Sequence, residues 1–181
     1  LRTSGAGDLR GSFALRLDGP LEECLLAFAD RVYLFDSIRP NEPVLLEGHR
    51  DYRSLRGYLT GQTAVLDPAA DNRVVVRAQQ YNRASYDAHL VMRMLMFHEK
   101  AGGRAYTGLN HHHLRFTDLS EQLDLGRAIL VGSYRGRTSR LRCTAPGSAE
   151  PVLNRRSYVR LVLPVEGAGA QQGTVSENAE P

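Results

Sequence analysis

The stretch CLLAFADRVYLF, Cys24 to Phe35, constrains the fold more than any other part of the chain. Two apolar runs, Cys24 to Phe28 and Val32 to Phe35, flank Asp30 and Arg31, the pattern of two strands joined by a tight turn. A hairpin here commits the first third of the chain to β-structure. Upstream, Phe13, Leu15 and Leu17 alternate with Ala14 and Arg16, which places large apolar groups on one face of a strand. Downstream, Pro40, Asn41 and Pro43 break the chain before a short run from Val44 to Leu46. The spacing of Tyr52, Leu55, Tyr58 and Leu59 then predicts a short helix.

Gly61, Pro68 and Asp71 punctuate residues 61 to 72, which read as a loop, and the valines of RVVVRA favour a strand after it. The clearest helix covers Tyr86 to Lys100, with Ser85 as N-cap and Gly102 and Gly103 as the stop. On it His89, Arg93, Met96 and Lys100 form a narrow stripe, while Leu90, Met94, Phe97 and their neighbours fill the rest of the circumference, so the helix is expected to be largely buried. A shorter helix is expected around Leu119 to Leu123. RAILVGSY is an uninterrupted apolar run, as in a strand covered on both faces, and SYVRLVLPV is a second strand. The turn-rich stretch between them is expected to include one short strand around Leu141.

These elements predict an α+β, mainly β fold: β-sandwich-like or barrel-like sheets holding one largely buried helix, 86–100, and a short second helix. Residues 1–8 are expected as a flexible start, 9–166 as a single β-rich domain, and 167–181 as a disordered tail or linker, since almost no large apolar residue follows Glu166. A length of 181 residues suits one domain with a sizeable core. No apolar stretch reaches the roughly 18 residues of a membrane span. The chain begins at Leu1 and reads as a piece of a longer protein.

Function is less legible. His111 and His113 of the HHH triplet project to one side of an extended backbone, and Asp118 is the nearest carboxylate that could complete a metal site. The simpler reading is a polar loop, with Asp118 serving the free N–H groups of the following helix. His98 and Glu99 begin like the zinc motif HExxH, but Lys100, Ala101 and Gly102 follow without a second histidine, and a buried, hydrogen-bonded His98 is the better account. The phenol of Tyr106 in YTGL could cap a backbone group or enter a site. No GxSxG elbow or phosphate loop occurs, and neither catalysis nor a cofactor is demanded. Cys24 and Cys143 match no metal-ligand spacing; they are either buried small apolar side chains or a disulfide pair.

Eight arginines, Arg127, Arg135, Arg137, Arg140, Arg142, Arg155, Arg156 and Arg160, face one acid, Glu150, between positions 127 and 160. They could form a phosphate- or lipid-binding surface. Nucleic acid is disfavoured, because all basic residues but Lys100 are arginine along the whole chain and no nucleic-acid-binding motif accompanies the run.

GSFALRLDGPLEECLLAFADRVYLF, MRMLMFHEKAGGRAYTGLNHHHLRFTDLS, LDLGRAILVG and SYVRLVLPV together resemble uncharacterised C-terminal ectodomain segments of large membrane-anchored bacterial proteins of the planctomycete type. The likeness spans most of residues 9 to 165, and the His111 to His113 triplet and the Asp30–Arg31 turn depart from it. It implies a periplasmic or otherwise extracytoplasmic domain, anchored through segments outside this chain, and carries over no catalytic residue. The expected role is a non-enzymatic structural or interaction domain of an envelope-associated protein, whose partners are other domains of the same polypeptide or an envelope protein. The alternatives are a metal-binding module or metal-dependent enzyme built on His111 and His113, and the basic surface.

Overall fold

The structure, a computed structural model, describes residues 1–4, 8–46, 52–67, 73–109, 116–135 and 157–167. In chain order it contains strands β1 (Arg2–Ser4), β2 (Asp8–Arg10), β3 (Ser12–Phe13), β4 (Leu21–Phe28), β5 (Arg31–Ile38), β6 (Val44–Leu45) and β7 (Tyr52–Ser54), then helix α1 (Leu55–Leu59). Strands β8 (Thr63–Asp67) and β9 (Arg73–Arg77) follow, then helices α2 (Ala88–Met96), α3 (His98–Ala101), α4 (Gly103–Thr107) and α5 (Ser120–Asp124). Strands β10 (Ala128–Tyr134) and β11 (Ser157–Leu163) come last. The fold is α+β and mainly β.

The expected hairpin is β4–β5, with Phe28 opposite Arg31, so the two-residue turn is Ala29–Asp30, one position earlier than the polar pair suggested. It forms the middle of a five-stranded antiparallel sheet in the order β11-β10-β4-β5-β7. Side-chain alternation divides this sheet between two cores. Leu26, Phe28, Tyr33, Ile38 and Leu130 face a layer made by the ribbons β1–β2 and β3–β6, which contributes Leu9, Leu15 and Leu46. Leu25, Ala27, Val32, Ile129 and Val131 face the helices, which contribute Leu55, Leu59, Met94, Phe97 and Leu123. Every residue of β10 is buried, as its unbroken apolar run requires. The sheet is thus covered by helices on one face and short ribbons on the other. Among the described residues no second sheet of comparable size packs on it.

A β-bulge sets the register at the centre. Val131 pairs with Leu25 and Ser133 with Glu22, so Glu23 and Cys24 together oppose Gly132, and Glu23 takes φ +50°. The extra residue brings Leu21 and Cys24 onto the same face. A Cβ at position 132 would lie 2.5 Å from Leu21 Cγ, so only glycine fits this crossing.

Several expectations need correction. Residues 9–17 do not form one strand: Gly11, at φ +108°, separates β2 from β3, and Leu15 makes only an isolated bridge to Pro40. Part of the loop read at 61–72 is strand β8, which pairs along its whole length with β9. The helix read from Tyr86 to Lys100 starts at Ala88, capped by Asp87 rather than Ser85, and breaks at Phe97, where φ is −134° and ψ 38°. Its apolar arc is unevenly covered: Met94 and Met96 are buried, whereas Leu90 is 37% exposed. The short second helix is α5, and β7 precedes α1 so that Tyr52 belongs to a strand. Strand β1 lies ahead of residue 9, tied to the segment just after β11 by Thr3 N–H donating to Glu166 O and by an Arg2–Glu166 ion pair. The stretch around Leu141 lies outside the described residues.

Candidate functional site

The segment FHEKAGGRAYTGL folds into the corner α3–α4 because Gly102 and Gly103 take left-handed φ values of +114° and +58°. The second glycine also makes room for an acid, since a Cβ there would meet Glu99 Oε2 at 2.9 Å. At the start of this corner His98 is 1% exposed, packed beside Phe97 and Ala101. Its Nε2 lies 3.0 Å from Thr107 Oγ1, and its Nδ1 lies 3.3 Å from Glu99 Oε1. The Thr107 hydroxyl is also 3.1 Å from Gly103 O and accepts Leu109 N–H at 3.1 Å.

Asp118 reaches the same corner from the segment before α5. Its Oδ2 accepts Glu99 N–H at 3.0 Å and its Oδ1 accepts Ser120 N–H at 2.9 Å, so one carboxylate caps the first turns of two helices. Ser120 Oγ accepts Lys100 N–H at 3.2 Å beside it. The cap role read for Asp118 in the sequence is therefore present. The ligand-type atoms of His98, Glu99 and Asp118 all lie within 4.8 Å of one another. His111 and His113, the partners expected for Asp118 in a metal site, lie outside the described residues.

Next to this corner, Gln80, Tyr81, Asn82, Arg83, Tyr106 and Thr107 line an open cavity of about 540 Å³. The Tyr81 and Tyr106 rings are tilted with centroids 6.0 Å apart. Tyr106 donates its phenol to Gln79 O at 2.8 Å, the backbone-capping role expected for it, and burial followed by the neighbouring Tyr81 pushes that phenol's pKa up. Arg83 Nε donates to Thr107 O at 3.1 Å, linking the cavity wall to the residue that holds His98. Gln79 N–H donates to Thr60 O at 2.9 Å and anchors the base of the β8–β9 ribbon beside the cavity. Beyond that base, Val74 and Val76 are 66% and 61% exposed on one ribbon face.

A second polar cluster sits on the bulge. His89 Nδ1 is 2.8 Å from Glu23 Oε2, and Arg93 donates to Glu23 O at 2.9 Å and to the Tyr58 hydroxyl at 2.7 Å. The His89 ring meets Tyr158 edge-on at 5.1 Å. These contacts fix α2 to the sheet. Sequence reading missed the cluster because nothing in the sequence signals the bulge that turns Glu23 toward α2.

Of the basic run, Arg127 donates to Gln122 Oε1 at 2.6 Å and Arg135 pairs with Glu22 at 2.9 Å, while Arg160 is exposed on β11. Arg137, Arg140, Arg142, Arg155 and Arg156 lie outside the described residues, as does Cys143. Cys24 is buried, its thiol donating to Leu21 O at 3.1 Å. Comparison of the chain with protein-family models, curated proteins and solved structures finds no match.

Proposed function

We propose that the chain is a non-enzymatic interaction domain of an envelope-associated bacterial protein, and that it holds another domain of the same polypeptide through the β8–β9 ribbon. The observation that carries this reading is the ribbon itself. It pairs with no other strand among the described residues, and it presents the valines Val74 and Val76 to solvent. An apolar β-branched face beside unpaired strand edges is a surface suited to adding a strand or an apolar segment from a partner. The tyrosine-lined cavity at its base would extend that surface with aromatic and amide groups.

The polar groups near the cavity support the same reading, because they are engaged in holding the fold. Asp118 caps two helices, Tyr106 caps the Gln79 carbonyl, and Arg83 ties Thr107 in place. The extracytoplasmic location rests on the sequence resemblance. Among the described residues no helix is long and apolar enough to cross a membrane.

A photo-crosslinking residue placed at Val76 in the native polypeptide tests both parts. The expected product joins position 76 to a peptide of the same polypeptide, in the extracytoplasmic envelope fraction. Absence of any crosslink at this position, or recovery of the protein only from cytosol, would contradict the proposal.

A further inference from the structure

We propose that the cavity beside the α3–α4 corner binds a small organic acid in which one carboxylate is joined to a flat ring. This goes beyond the interaction role, which rests on the β8–β9 ribbon. Arg83 supplies the charge: it is exposed, and among the described residues it is the one charged residue that lines the cavity. Its Nε–H is engaged by Thr107 O at 3.1 Å, and its guanidinium lies over Gly108, where a Cβ would overlap it. Gly108, at φ +62°, therefore leaves the guanidinium a seat at the end of α4. A guanidinium carries five N–H donors in a planar fork. Among the described residues no carboxylate pairs with Arg83, which leaves its two Nη groups for an outside acceptor.

The rest of the wall decides what accompanies that acceptor. Tyr81 and Tyr106 line the cavity with rings tilted at 54°, and the bond from the Tyr106 phenol to Gln79 O fixes the second ring in place. Aromatic walls suit a flat, largely apolar ligand body. They also attract organic cations, but Arg83 in the same wall repels these. No carboxylate, histidine or thiol lines the cavity among the described residues, so a metal ion finds no anionic or imidazole donor there. One guanidinium balances one negative charge, and its fork matches both oxygens of a carboxylate, whereas a phosphate dianion would keep an unbalanced charge. The amides of Gln80 and Asn82 add neutral polar groups for substituents on the ring. The volume, about 540 Å³, falls within the roughly 300–1,000 Å³ of ordinary small-molecule sites.

The test is an amide NMR titration of the full chain with benzoate and phenylacetate, with benzamide as the uncharged counterpart and adenosine monophosphate as the phosphate-bearing one. The expected result is saturable shifts at Gln80 to Arg83, Tyr106 and Thr107 with both acids, and binding at least roughly tenfold weaker for benzamide and for the acids on Arg83→Gln. Arg83→Lys is also expected to bind the acids more weakly, because an ammonium cannot make two parallel bonds to one carboxylate. Arg83 is exposed, so both variants are expected to keep the parent shifts of β4 and β10. The comparison of acid with amide uses the unaltered chain and decides the matter even where a variant does not fold. Lack of saturable shifts with the acids would overturn the proposal. So would equal binding of benzamide, tighter binding of adenosine monophosphate, or undiminished binding of the acids by folded Arg83→Gln.

Discussion

At the scale of single residues, Asp118 shows how one side chain serves two elements. Its carboxylate holds Glu99 N–H at the start of α3 and Ser120 N–H at the start of α5, joining segments 19 positions apart. Asp118→Ala removes both caps and is expected to cost about 1–3 kcal/mol in urea unfolding, with Asp118→Asn costing less because its amide oxygen can keep one bond. Equal stability of Asp118→Ala and the parent would show that the caps are replaced by solvent. Cys24 supplies a pH-dependent prediction. Burial, opposed by weaker backbone and charge effects, pushes its thiol from 9.0 to about 11. The fold therefore favours the neutral thiol: its contribution is complete below pH 9.0 and is lost as pH rises through about 11. The loss is on the order of 2 kcal/mol, and unfolding midpoints across that window should flatten in Cys24→Ala. An identical slope in the variant would assign the alkaline loss to other groups.

At the scale of elements, the segment from α2 to α3 separates what the sequence shows from what packing decides. Leu90, Met94 and Phe97 read as one apolar arc, yet Met94 is buried while Leu90 is over a third exposed. Met94→Ala is expected to cost about 2–4 kcal/mol and Leu90→Ala less than about 1 kcal/mol; equal losses would show that the helix face is covered evenly. Strands β4, β5, β10 and β11 are legible because alternation and apolar runs directly report which faces are buried. The break at Phe97 is not, because no glycine or proline lies between Tyr86 and Lys100, and the cap that starts α3 comes from distant Asp118. Strand β8 was hidden by the turn residues around it, and its pairing with β9 supplies what its own pattern lacks. The same limit applies to the candidate sites. The capping role of Asp118 follows from its place ahead of a helix, whereas the meeting of His98 with Glu99 and Thr107 depends on the α3–α4 corner.

For the whole molecule, the bulge opposite Gly132 locks the central sheet between its ribbon layer and its helical layer. Gly132→Ala would drive a methyl against Leu21 and is expected to cost about 1–3 kcal/mol in thermal or denaturant unfolding. A neutral result would mean that the sheet centre yields. Among the described residues the β8–β9 ribbon pairs only within itself, and Val74 and Val76 point outward. Its place in an interaction domain is tested most directly by amide hydrogen exchange at Val74 to Val76, compared between the isolated chain and the native polypeptide. The account predicts slower exchange of these amides in the native polypeptide, with the central strand β10 unchanged. Equal exchange of the ribbon in both would contradict it.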